Sequence, residues 1–311
     1  FEVGTNNFNE IKKLTSIIMP HQVIITNIFP THLKNFKNTR NVAIEKSDLF
    51  NPKYNPCTEL LVLPISNEDE VYLSKLSRKY KINSVITFGR NNKANYCLQN
   101  IEIVNNFLSK IKIKTPNELI ECQVSTSIEH QIINIIISLI IFKYNELKID
   151  DFLKKAQNIS FVEGRGLFHE LKIKDNYVTL IDESYNASPI SMKNCINYFE
   201  NFFLENNQRK ILILGEMNEL GELSYDYHKE IVSYALKTFI NKIIFCGNRY
   251  SKILNNINYN PKQVLILSSE LEINKFIENN THNNDIILAK GSNSTIINTL
   301  VKKLLKTKKE N

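Results

Sequence analysis

Short apolar runs rich in β-branched residues alternate with helical patterns along nearly the whole chain, and no other feature limits the fold so strongly. Residues 22–28 (QVIITNI), 59–64 (ELLVLP) and 83–88 (NSVITF) read as buried strands, with helices expected over 41–50 and 69–80. Residues 129–144 are apolar nearly all round, the pattern of a buried helix. A second series follows, with strands expected at 177–181, 210–214, 242–246, 263–267 and 285–289. Helices are expected at 191–204, 226–239, 270–279 and 295–305. Such alternation covers both faces of parallel sheets, so the chain is expected to be α/β, with two doubly wound domains over 1–160 and 161–311.

Composition excludes several function classes. The chain has 311 residues with 39 Lys plus Arg against 32 Asp plus Glu, a net charge of +7. No Arg-rich stripe or aromatic–basic interleaving accompanies that charge, so no nucleic-acid partner is expected. The basic run 302–309 reads as the polar end of a last helix. The five cysteines are scattered and lack a C-x-x-C pair, which argues against zinc and disulfides and for a reducing cytoplasm. The longest apolar run, 132–142, is too short to span a bilayer, and no signal peptide opens the chain. The first residue, Phe1, enters what reads as the middle of a strand, as expected of a piece of a longer protein. Oligomeric state is not legible.

Three loops carry the chemistry. In 181–192 (IDESYNASPISM) an apolar strand ends in two carboxylates, and Pro189 opens a helix. Ligands bind at the carboxyl ends of strands in open α/β sheets. On the residues alone, an ordinary strand-to-helix loop with an N-cap is as good a reading. Residues 214–221 (LGEMNELG) also follow a strand, and precede a helical segment carrying His228. Residues 288–294 (LAKGSNS) place Lys290 and a glycine between strand and helix, which suits an anion.

In this order, DESYNASPISM, LGEMNELG and AKGS resemble the C-terminal domain of the Mur ligases, most closely of the branch that adds D-alanyl-D-alanine. The likeness continues upstream through EVGTNNFNEI (2–11), NIFPTHL (27–33), AIEK (43–46), EHQIIN (129–134) and the GRG of 164–166. It implies an incomplete central ATPase domain followed by a Rossmann-like C-terminal domain. It also implies an ADP-forming acid–amino-acid ligase of peptidoglycan precursor synthesis, with UDP-MurNAc-tripeptide and D-Ala-D-Ala as substrates and ATP and Mg²⁺ as cofactors. By resemblance, Glu2 and His32 hold metal, and Lys46 matches a lysine carried as a carbamate, a carboxylate-like metal ligand. Asn134 matches an adenine contact and Arg165 a nucleotide contact, while Glu183 stands where the family has a ribose-binding Asp. Tyr185, Asn186, Ser188, Lys290 and Ser292 are implied at the substrates.

The match has departures. None of the eight glycines is followed by Lys-Ser or Lys-Thr, so the glycine-rich phosphate loop is absent, and with it the UDP-sugar domain of the family. The expectation is a chain truncated at its N-terminal side and inactive by itself. Gln131, Glu183, Ser188 and Asn293 also depart from the pattern, and Asn9 stands where Gly is expected. Other readings on the same scaffold are another Mur-type or folylpolyglutamate synthase-like ligase, or a non-catalytic remnant or binding module.

Overall fold

The computed structural model describes residues 1–205 and 208–307, so residues 308 and 309 of the basic run lie outside the described residues. The chain divides into two units, Phe1–Ser160 and Phe161–Asn311.

In the first unit the elements run α1 (Glu10–Ile18), β1 (Gln22–Ile24), α2 (Leu33–Phe36), α3 (Thr39–Ser47), β2 (Leu60–Pro64), α4 (Glu68–Lys79) and β3 (Ser84–Gly89). They continue with β4 (Tyr96–Asn105), β5 (Leu108–Lys114), β6 (Leu119–Val124), α5 (Glu129–Tyr144) and α6 (Ile149–Ala156). Strand order follows the chain from β1 to β6, parallel through β4 and antiparallel from β4 to β6. Alternate residues of β2 face opposite sides. Leu60 and Val62 pack with Ile132, Ile136 and Ile140 of α5, and Leu61 and Leu63 with Ile11, Ala43 and Leu73 of α1, α3 and α4. Helix α5 is buried as its composition requires, and the polar interruptions Asn134 and Ser138, four residues apart, form its exposed stripe.

The second unit runs β7 (Leu167–Ile173), β8 (Asn176–Glu183), α7 (Pro189–Glu200), β9 (Lys210–Gly215), a 3₁₀ turn (Gly221–Leu223), α8 (Ser224–Ala235) and β10 (Lys242–Cys246). Then come α9 (Asn248–Leu254), β11 (Val264–Leu267), α10 (Glu270–Asn280), β12 (Ile286–Lys290) and α11 (Ile296–Thr307). Sheet order is β11-β10-β9-β12-β8-β7, parallel except for β7. From β8 the chain steps outward to β11, then turns back to insert β12 between β8 and β9. Right-handed crossovers in opposite directions place helices on opposite faces. Accordingly α7, α8 and α9 pack one face through Ile196, Ile231 and Ile253, and α10 and α11 the other through Ile273 and Leu300. This is the doubly wound arrangement, and it brings the ends of β8, β12 and β9 side by side.

Both units are α/β, and both sheets are mixed, because a hairpin edge closes each parallel run. The antiparallel strands β4–β6 are long and polar on one side. Only Ser109, Ile111 and Ile113 of β5 are buried, so the segment lacks the continuous apolar run that marks the parallel strands.

Candidate functional site

In the second unit, register places Lys290 opposite Glu183 at the last positions of two neighbouring parallel strands. Both side chains are buried, and the Lys290 Nζ donates to Glu183 Oε2 at 3.2 Å and to the Asn186 carbonyl at 2.8 Å. Two residues implied for different ligands, the nucleotide ribose and the peptide substrate, are thus joined as one buried ion pair. The pair ties the β8 loop to β12.

Around it the β8 loop is locally determined. Ser188 occupies the N-cap of α7 in a capping box with Ser191, and Pro189 sits at the first helical position. The capping alternative open in the sequence is therefore what Ser188 does here. Asn186 is exposed, and its Oδ1 accepts the Ala187 N–H at 2.8 Å. Tyr185 is 45% exposed, and the Arg165 guanidinium lies 4.3 Å from its ring centroid, so these two sequence-assigned residues meet in a cation–π stack. Ser292 Oγ accepts the Asn218 N–H at 3.0 Å, and its own N–H donates to the Glu216 carbonyl at 3.1 Å. Ser292 thus holds the β9 loop as well as lying beside Lys290.

The 214–221 loop and His228 stand out in the sequence, but Arg249 and Gly247, which help shape the β9 loop, do not. The Glu216 carboxylate accepts the Arg249 N–H at 2.7 Å and pairs with the Arg249 guanidinium. It lies so close to Gly247, at φ +121°, that a Cβ there would fall 2.5 Å from it. These residues lie on different strands' loops and share no local motif, so no sequence signal links them. Fully buried His228 closes the loop from α8. Its Nε2 accepts the Met217 N–H at 3.0 Å, which assigns the ring proton to Nδ1, facing the Ser224 carbonyl at 2.6 Å.

Burial pushes His228 below its ordinary value of 6.5. The unfolded chain therefore takes up the proton first, so this contribution to stability is complete above pH 6.5 and fades as pH falls towards the depressed folded value. His228→Leu should cost about 1–3 kcal/mol near neutral pH, because the buried Met217 N–H loses its acceptor. Urea unfolding at several pH values should also show the acid-dependent part of stability reduced in this variant; an unchanged pH profile would clear His228 of that role.

In the first unit, Lys46 lies near the end of α3, and its Nζ donates to the Asn27 carbonyl at 3.0 Å. Burial pulls its ammonium below the ordinary lysine value, with the Glu70 carboxylate acting the other way. Lys46 is thus no solvated helix lysine, and a larger neutral fraction is what carbamate formation with CO₂ requires. Buried Glu70 anchors this region: its carboxylate accepts the N–H groups of Ser66 at 2.7 Å and Ile28 at 3.3 Å. His32 stands at the N-cap position of α2 at φ 52°, without a side-chain capping bond. Asn9, where Gly is expected, has φ 71°, a left-handed conformation that Asn tolerates. Glu2 is exposed, and Asn134 lies on the exposed stripe of α5. Among the described residues no group of three or more His, Cys, Asp or Glu side chains forms a metal site.

The Mur ligase middle domain matches residues 1–142, and the Mur ligase glutamate ligase domain matches residues 169–293. The chain belongs to the Mur ligase family. It is 26% identical over 280 residues to the UDP-N-acetylmuramoyl-tripeptide--D-alanyl-D-alanine ligase of Borreliella burgdorferi, covering 89% of this chain and 56% of that protein. To the ligase of the same name from Rickettsia prowazekii it is 26% identical over 301 residues, covering 97% of this chain and 65% of that one. Among solved structures, the MurF ligase of Thermotoga maritima in complex with ADP superposes with a TM-score of 0.80 at 20% identity, over 98% of this chain and 67% of that one. This last likeness establishes the Mur ligase fold. The chain therefore spans 56–65% of the length of these two curated relatives.

Proposed function

We propose that this chain is the central and C-terminal part of a Mur ligase that adds D-Ala-D-Ala to UDP-MurNAc-tripeptide in the cytoplasm, consuming ATP. The observation that carries the reading is that relatives of this specific name align along 89% and 97% of this chain. The loops at the ends of β8, β9 and β12 agree with it, since the DESYNASPISM, LGEMNELG and AKGS segments lie side by side there. Two steps are involved. A terminal carboxylate oxygen of the tripeptide attacks the γ-phosphorus of ATP and expels ADP. The dipeptide amine then attacks the acyl carbon, and phosphate leaves with that oxygen. Catalysis of this kind is largely positioning and neutralisation of phosphate charge.

Mg²⁺ takes most of its ligands from water and phosphate oxygens, so the lack of a preformed cluster of three such side chains among the described residues is compatible with it. Glu2, His32 and a carbamylated Lys46 have suitable donors, and the metal when bound would offset phosphate charge. Asn134, Arg165 and Glu183 are assigned to ATP. Tyr185, Asn186, Ser188, Lys290 and Ser292 are assigned to the peptide substrates, with Ser188 and Ser292 acting through the loop structure they hold.

A panel of amine substrates tests the reading. The full natural chain, given ATP, Mg²⁺ and UDP-MurNAc-tripeptide, should release ADP with D-Ala-D-Ala and not with L-Ala, D-Glu or L-Lys. ADP release with a different amine and its matching acceptor would assign the chain to another ligase of the family. No ADP release with any pair would favour a non-catalytic member.

A further inference from the structure

We infer that Asp182 is a positioning residue that sets the Arg165–Tyr185 stack for nucleotide binding. The inference rests on the ATP role proposed above for Arg165. Asp182 is the penultimate residue of β8 and 3% exposed. Its Oδ2 accepts the Gly164 N–H at 2.9 Å, and its Oδ1 accepts the Ser184 N–H at 3.0 Å. Among the described residues it has no ion-pair partner, so backbone amides hold a carboxylate out of water. Burying a carboxylate is costly unless such bonds are good.

The two donors are significant. Gly164 immediately precedes Arg165, and Ser184 immediately precedes Tyr185, so one carboxylate grips the chain just before each member of the stack. Two further bonds close the clamp: Gly166 N–H to the Asp182 carbonyl at 2.7 Å, and Tyr185 N–H to the Gly164 carbonyl at 3.1 Å. Gly164 sits at φ +77°, and a Cβ there would lie 2.9 Å from the Tyr185 Cβ, so only glycine allows this approach. The result is an exposed Arg165 between two buried glycines, with its guanidinium 4.3 Å from the centroid of the Tyr185 ring. The planar fork of guanidinium N–H groups is the donor geometry that suits ribose or phosphate oxygens.

Asp182→Asn keeps the side-chain shape but sets an NH₂ group against one backbone N–H, so either the Gly164 or the Ser184 segment must move. In the full natural chain this variant should raise the KM for ATP by about 10-fold, with kcat changed much less, as loss of binding alone does. Arg165→Ala should raise the same KM at least as much. The double variant should match Arg165→Ala alone, because a residue that acts only through another contributes nothing once that other is gone.

Effects of the two substitutions that multiply, or a wild-type KM in Asp182→Asn, would overturn the positioning role while leaving the ligase reading intact. An unchanged KM in Arg165→Ala would overturn the nucleotide role itself, and the inference with it. Should Asp182→Asn not fold, Tyr185→Leu removes the ring beneath Arg165 without touching the clamp. It must then raise the KM for ATP similarly, and a normal value would refute the inference.

Discussion

Lys46→Ala in the full natural chain is expected to lose ligase activity by about 10²–10³-fold, the scale seen when a group that stabilises transition-state charge is removed. Added short carboxylic acids such as acetate are expected to restore part of it. The Lys46 Nζ donates to the Asn27 carbonyl in a desolvated setting that favours the neutral amine, which is the form that adds CO₂. Carbamylation would exchange an ammonium for a carboxylate. Deletion should then leave a space that a small carboxylate can fill. Steady-state rates with and without acetate measure this. Wild-type activity in Lys46→Ala would remove the carbamate from the account, and loss without rescue would leave Lys46 a structural role through Asn27.

Lys290→Met is expected to lower stability by about 3–5 kcal/mol, because it removes the buried ammonium that pairs with the Glu183 carboxylate. The side chains of Lys290 and Glu183 are only 4% and 10% exposed, so water cannot readily replace the lost partner. Removing both charges together costs far less than removing one. Lys290→Met combined with Glu183→Leu should therefore recover most of the loss. Urea unfolding of the two single variants and the double variant gives the coupling directly. A loss below about 1 kcal/mol in Lys290→Met would mean that the pair behaves as a surface pair does.

The second sheet was legible wherever burial on both faces forced an unbroken apolar run. Strands 210–214 and 242–246 were expected within a residue of where β9 and β10 lie, and α5 was expected over its observed span. The antiparallel strands β4–β6 were not legible, since one of their sides faces water and Lys110, Lys112 and Lys114 interrupt the apolar pattern. Motif residues such as Glu183 and Lys290 could be picked out by their loops. Their mutual ion pair depends on β12 inserting beside β8, over a hundred residues along the chain, and spacing does not encode that. The same holds for Glu216 with Arg249 and for Met217 with His228. Asp182 stood in plain view beside Glu183, but its role arises from backbone amides, which carry no residue signature.

Peptide-bond formation is expected to proceed through an acyl phosphate made from the tripeptide carboxylate. The most direct measurement uses UDP-MurNAc-tripeptide labelled with ¹⁸O in its terminal carboxylate, with ATP, Mg²⁺, D-Ala-D-Ala and the full natural chain. Mass spectrometry of the released phosphate should find one ¹⁸O in each phosphate, together with the extended pentapeptide precursor in equal amount. Unlabelled phosphate, with the label still in the tripeptide and no pentapeptide formed, would contradict the account and mark any ATP consumption as hydrolysis by water.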